Sequence, residues 1–216
     1  MSINLKKRIY TSLSLFLLLF AMFLNNFILG YFLIVIGMLS ILEFFKIVLI
    51  IQNKNKLKQL LMNLIFIFYV FILCSAFLII SFSFNLKILI FIILITCIAS
   101  DIGGFVFGNI FKGPKLTKIS PKKTISGAIG SIIFSVLVLT LLTYDLNKNF
   151  NYEFILAGIV ISIACQFGDL FFSYIKRQSN LKDTSDFLPG HGGVLDRLDG
   201  ILFGLPVGFI TLLIFY

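Results

Sequence analysis

An all-α integral membrane protein, a polytopic bundle of about seven transmembrane helices with a cytoplasmic N-terminus, is the fold class that three features of this sequence predict. Of its 216 residues, 59% are hydrophobic and only 12% charged, about half the charged share of soluble domains. The apolar residues gather into runs long enough to cross a bilayer. The Lys and Arg residues fall almost entirely into alternate gaps between those runs.

Crossing a hydrocarbon core about 30 Å thick takes about 20 apolar residues. A first run near 9–24 follows Lys6, Lys7 and Arg8 and so imitates a signal peptide. No small-residue cleavage site follows, and Asn25-Asn26 leads straight into another run, so a retained span is expected. Further runs lie near 27–51, 60–81, 88–110, 125–143, 154–175 and 198–216. The first is short and the second long, so the pair also reads as a tilted hairpin. The bundle is expected to divide into N-terminal helices over 1–87 and a C-terminal region over 88–216 that carries the polar motifs.

Orientation follows from the cations. With seven spans, Lys6, Lys7, Arg8, Lys46, Lys54, Lys56, Lys58, Lys112, Lys115, Lys118, Lys122, Lys123, Lys176, Arg177, Lys182 and Arg197 fall on one side, and only Lys87 and Lys148 on the other. A split of 16 to 2 places the first side in the cytoplasm and the C-terminus outside. A net charge of +9 then needs no nucleic-acid partner. The 27 Phe residues read as lipid-facing bulk and helix packing. Cys74, Cys97 and Cys165 stand at wide spacings inside apolar runs and read as small buried hydrophobes. No internal inverted repeat is evident, which weakens a transport reading.

The acids are unevenly placed. Asp145 and Glu153 fall in an outer loop, whereas Asp101, Asp169, Asp183, Asp186, Asp196 and Asp199 map to the cytoplasmic ends of spans or the loop beside them. Glu43 lies deeper, inside the second run. Asp169, Ser173 and Lys176, spaced i, i+4, i+7, share one helical face, as do Asp196 and Asp199 at i, i+3. Between these helix ends comes Pro189-Gly190-His191-Gly192-Gly193, whose glycines permit close approach of main-chain N–H groups to an anion. His191 is the only histidine, so no His-rich metal site forms; a structural and a catalytic role are both open to it. Ionisable residues beside hydrocarbon are costly, which makes this island the default functional site.

A second constellation covers Ser100–Gly130, with Asp101 in a span and five lysines in the loop after it. Lys112, Lys115 and Lys118 suit topology anchors or contacts to anionic lipid. Ser120-Pro121-Lys122-Lys123-Thr124 puts two cations and two hydroxyls just before a helix N-terminus, an arrangement that suits phosphate.

The stretch Ser173–Asp199 resembles the phosphatidate cytidylyltransferase, or CDP-diacylglycerol synthase, family, whose pattern reads S-x-x-K-R-x4-K-D-x5-P-x-H-G-G-x2-D-R-x-D. Ser173, Lys176, Arg177, Lys182, Asp183, Pro189, His191, Gly192, Gly193, Asp196, Arg197 and Asp199 fill every fixed position. Ser120–Thr124 is similar to the family's S-P-K-K-T element, and Gly168-Asp169-Leu170 also matches. The resemblance covers roughly the C-terminal half. After S-P-K-K-T the family usually carries an aromatic, Glu and Gly, where this chain has Ile125-Ser126-Gly127.

The resemblance implies a nucleotidyltransferase of the inner membrane that converts CTP and phosphatidate to CDP-diacylglycerol and pyrophosphate. Mg²⁺, with room for a second metal ion, would be held by Asp169 and Asp196, in keeping with the one or two carboxylates that bind magnesium beside substrate phosphates. Lys176, Arg177, Lys182 and Arg197 would hold the triphosphate, with Lys122 and Lys123 assisting from the other loop. Asp183 and Asp199 would orient those cations, Asp101 and Ser173 would contribute to substrate binding, and His191 would join the catalytic group. The partners are therefore CTP, phosphatidate and the bilayer, and a homodimer is compatible with the sequence. Two other classes stay open: an anion transporter, which would show flux without chemistry, and an inactive lipid-binding scaffold.

Overall fold

A computed structural model describes residues 14, 17–52, 55–117, 119–120, 123–148, 151–181, 183–185, 187 and 192–215. Among them every regular element is a helix: α1 (residues 17–24), α2 (Asn26–Ile51), α3 (Lys56–Ile80), α4 (Phe84–Phe111), α5 (Ile125–Asn147), α6 (Glu153–Gln178) and α7 (Leu195–Phe215). The six from α2 onward are long and apolar enough to cross a membrane, and the protein is a multi-pass membrane protein. The earlier part of the span expected at 9–24 lies outside the described residues.

Helix ends reach past the apolar runs because backbone hydrogen bonding, not hydropathy, sets them. α3 begins with Lys56, Lys58 and Gln59, four residues before the expected start at 60, because Asn55 caps it by accepting from Lys58 N at 3.1 Å. Asn25 separates α1 from α2 in the same way, its extended backbone and side chain accepting from Phe27 N at 2.8 Å. α5 ends on Lys148 in the left-handed region at φ 55.

The chain forms two compact units, Met1–Lys87 with Ile175–Arg197, and Ile88–Tyr174 with Leu198–Tyr216. In the first, α2 and α3 run antiparallel. Phe44 stacks on Phe66 with ring centroids 3.9 Å apart, and Gly37 packs against Val70 and Cys74. At the far end of this hairpin Lys87, one of the two cations off the majority side, is buried: its Nζ donates to Asn26 Oδ1 at 2.6 Å and lies over the Phe23 ring. Asn26 in turn donates to Ser81 O. An ammonium in an apolar setting thus finds an acceptor and an aromatic face.

The second unit packs α4, α5, most of α6 and most of α7 around Ile93, Cys97, Leu139, Ala157, Ile161, Cys165 and Leu212. Without a hydrophobic driving force between helices in lipid, close approach relies on small residues and interhelical hydrogen bonds. Gly200, Gly204 and Gly208 form one such stripe on α7, facing Asp169, the Cys97 and Cys165 thiols, and Ile161 with Ile93. Ser100 and Ser162 share a hydrogen bond at 2.9 Å, and Gln166 donates to Ser162 Oγ and Ala128 O. The large apolar side chains outside these contacts, such as Phe68, Phe71 and Phe105, are exposed, as lipid contact requires.

Candidate active site

In the first unit a polar cluster starts where α6 stops. Asn180 takes a left-handed backbone at φ 55, Leu181 N donates to Lys176 O at 3.0 Å and Asn180 N to Arg177 O at 3.1 Å. This pair of bonds ends the helix and satisfies its last carbonyls. Lys176 and Arg177 occupy the last turn, where the helix dipole favours cations. Arg177 is exposed and donates to Leu181 O. Lys176 turns inward and meets Asp196 Oδ1 at 2.6 Å, with side chains only 11% and 8% exposed.

Asp196 sits in the first turn of α7, the end at which a negative charge is stabilised. While Oδ1 faces Lys176, Oδ2 accepts from Thr184 N at 2.8 Å and Gly193 N at 3.1 Å, with the Thr184 hydroxyl oxygen also 3.1 Å away. Two main-chain donors on one oxygen fix the orientation of the other, the support that carboxylate ligands normally receive. The glycine turn, with Gly192 at φ 81, was expected to offer its N–H groups to an anion. They serve carboxylates of the chain itself: Gly193 N goes to Asp196, and Val194 N and Leu195 N go to Glu43.

In the second unit the loop between α4 and α5 is closed on itself. Leu116 N donates to Lys123 O, Ile125 N donates to Pro114 O, and an antiparallel bridge pairs Lys115 with Thr124. Thr124 caps α5 by accepting from Gly127 N at 3.1 Å. Ser126, at the departure from the family pattern, accepts from Gly113 N and bonds Thr124 Oγ1. The loop thus directs Lys123 Nζ to Asp169 Oδ2 at 2.6 Å, with side chains 30% and 17% exposed. Gly200 lets α7 approach the other oxygen: a Cβ there would lie 2.9 Å from Asp169 Oδ1.

Residues 3–215 match the profile of the Cytidylyltransferase family. The chain belongs to that family. It is similar to phosphatidate cytidylyltransferases of Helicobacter pylori, 41% identical over 124 residues (57% of this chain, 46% of that protein), and Rickettsia felis, 43% over 127 residues (54% and 56%). A third, from Staphylococcus haemolyticus, is 41% identical over 116 residues (53% and 45%). The chain spans about half the length of the curated relatives it matches.

The helical face that Asp169, Ser173 and Lys176 share does not pair them with one another. Asp169 takes Lys123 and Lys176 takes Asp196. Ser173 and Asp199 are half-buried; Asp199 Oδ1 accepts from Gly200 N. Asp101, Asp183 and Arg197 are exposed. Lys122, Lys182 and His191 lie outside the described residues. Thr184 and the contacts of Glu43 were not foreseen, although an acid inside an apolar run is itself a signal of function.

The donor chemistry at both acids fits a cation. Each presents one carboxylate oxygen to an ammonium at 2.6 Å, so that oxygen already faces positive charge. Among the described residues no group of three His, Cys, Asp or Glu side chains comes together. A hard divalent ion would therefore share one or two carboxylates with substrate oxygens, the usual manner of magnesium.

Proposed function

We propose that this protein moves the cytidylyl group of CTP onto phosphatidate, giving CDP-diacylglycerol and pyrophosphate. The observation that carries the reading is the pairing of both motif acids, Asp169 and Asp196, with lysines at 2.6 Å. Such pairs supply carboxylates for a metal and ammonium groups for phosphate from the same side chains. The names of the relatives, phosphatidate cytidylyltransferase, support the choice of substrates.

In this reaction a phosphate oxygen of phosphatidate attacks the α-phosphorus of CTP, and the bond from that phosphorus to the bridging oxygen of the β-phosphate breaks, releasing pyrophosphate. A phosphate monoester is already largely dianionic at neutral pH, its second pKa being about 6. The attacking oxygen needs no general base and no protein nucleophile; positioning and charge neutralisation remain. Lys176, Arg177, Lys182 and Arg197 hold the triphosphate and neutralise the departing pyrophosphate, and Lys122 and Lys123 add charge from the α4–α5 loop. Asp183 and Asp199 orient these cations, and Ser173 and Asp101 contribute to substrate binding. Lys122, Lys182 and His191 enter through the motif alone.

Asp169 and Asp196 would hold Mg²⁺, one ion or two. When bound, the cation supplies charge neutralisation on the reacting phosphate oxygens. The site is proposed to lie on the cytoplasmic side of the inner membrane, where CTP is dissolved and the phosphatidate headgroup is presented; the Lys and Arg split supports that side. A homodimer is compatible with this chemistry, which does not require one.

The test is pyrophosphate release by purified protein in lipid vesicles, measured with CTP and phosphatidate together and each alone. Release that needs both supports the reading. Anion flux without release would favour a transporter, and lipid binding without release a scaffold.

A further inference from the structure

We propose that Glu43, in α2, is a positioning residue that ties Thr184 and Ser185 to Val194 and Leu195 and, through Thr184, fixes the orientation of Asp196. The inference deepens the reading above and rests on it. Glu43 is fully buried, with 0% of its surface exposed, and its neighbours along α2 are Leu42 and Phe44. A carboxylate in such a place is tolerated only when its acceptor sites are filled.

They are filled, two donors to each oxygen. Oε2 accepts from Thr184 Oγ1 at 2.7 Å and Leu195 N at 2.8 Å, and Oε1 accepts from Ser185 Oγ at 2.5 Å and Val194 N at 2.9 Å. Two of the donors, Thr184 and Ser185, follow α6, and two, Val194 and Leu195, stand at the entry of α7. The carboxylate holds the two pairs together like a clasp, and its charge also sits at the N-terminal end of α7, where the helix dipole favours it.

Thr184 carries the effect onward. Its hydroxyl stands 2.7 Å from Glu43 Oε2 and 3.1 Å from Asp196 Oδ2, and its main-chain N–H donates to that same Asp196 oxygen at 2.8 Å. Asp196 is thereby aimed so that Oδ1 faces Lys176. Gly193 records the same requirement: a Cβ there would lie 2.7 and 2.9 Å from the two Glu43 oxygens and would overlap Thr184 Oγ1. One of the two glycines of the motif is thus explained by an acid 150 positions earlier in the chain.

The experiment compares wild type with Glu43→Gln, Thr184→Val and Thr184→Ser by peptide-level hydrogen exchange and by steady-state kinetics in vesicles. Glutamine keeps the shape but turns an NH₂ toward groups that are themselves donors. In E43Q, exchange across 183–197 is expected to rise about tenfold while α4 and α5 exchange as in wild type, and the KM for CTP to rise about fivefold with the KM for phosphatidate within about twofold. Thr184→Val moves both readouts in the same direction by less, and Thr184→Ser, which retains the hydroxyl, restores them.

Unchanged exchange over 183–197 in E43Q overturns the proposal. So does a fall in kcat with both KM values unchanged and exchange raised throughout, which is the signature of a merely structural residue. A wild-type chain that turns over no CTP defeats the proposed function instead, and the exchange comparison still decides whether Glu43 is a positioning residue.

Discussion

The Lys176–Asp196 pair and the Lys123–Asp169 pair have the same N···O separation, 2.6 Å, but different surroundings. In the first, both side chains are nearly buried, and Asp196 is held by Thr184 and Gly193 beneath the Glu43 clasp. In the second, Lys123 belongs to a loop and both side chains are partly open, and the carboxylate oxygen that does not face Lys123 abuts Gly200. A buried pair leaves an uncompensated charge when one partner is removed, at a cost of about 3 kcal/mol or more, whereas a partly exposed pair is worth about 1 kcal/mol or less. Equal distances therefore conceal unequal roles. The Asp196 side is preorganised, and the Asp169 side can part from its lysine at small cost.

That contrast can be broken by mutation, in descending order of expected effect on stability. Asp196→Asn should lose pyrophosphate release and about 3 kcal/mol of stability, since the Lys176 ammonium stays buried without its counter-charge; thermal unfolding in detergent beside the activity assay reads both. Asp169→Asn should lose release just as fully while the unfolding midpoint changes by an amount equivalent to about 1 kcal/mol or less. Equal destabilisation by the two substitutions would erase the distinction between the sites. Lys148→Gly, at the end of α5 and outside both pairs, should raise stability by about 0.5 kcal/mol by relieving the left-handed backbone, with turnover as in wild type. A change in turnover there would mean that activity follows global stability and not these two clusters.

Much of this was legible in the sequence. The runs expected near 27–51, 125–143 and 154–175 correspond to α2, α5 and α6, because an apolar run of that length has one stable backbone solution in a bilayer. Helix ends were less legible: Lys56, Lys58, Lys176 and Arg177 continue their helices, since a cap or a left-handed residue terminates a helix and hydropathy does not register either. The motif acids and lysines were named as site residues, but not which lysine would face which acid. Asp169 and Lys176 share a helical face by spacing, and the structure gives each a partner from another element. Glu43 was visible as an anomalous acid. Its partners, 141 to 152 positions away, follow only from tertiary structure.

The most direct test of the account is pyrophosphate release by the purified protein with CTP and phosphatidate, with and without Mg²⁺, for wild type, Asp169→Asn and Asp196→Asn. Release by wild type is expected to require both substrates and the metal, and neither variant is expected to release pyrophosphate although both remain inserted in the membrane. Full activity in either variant, or release independent of phosphatidate, would contradict it.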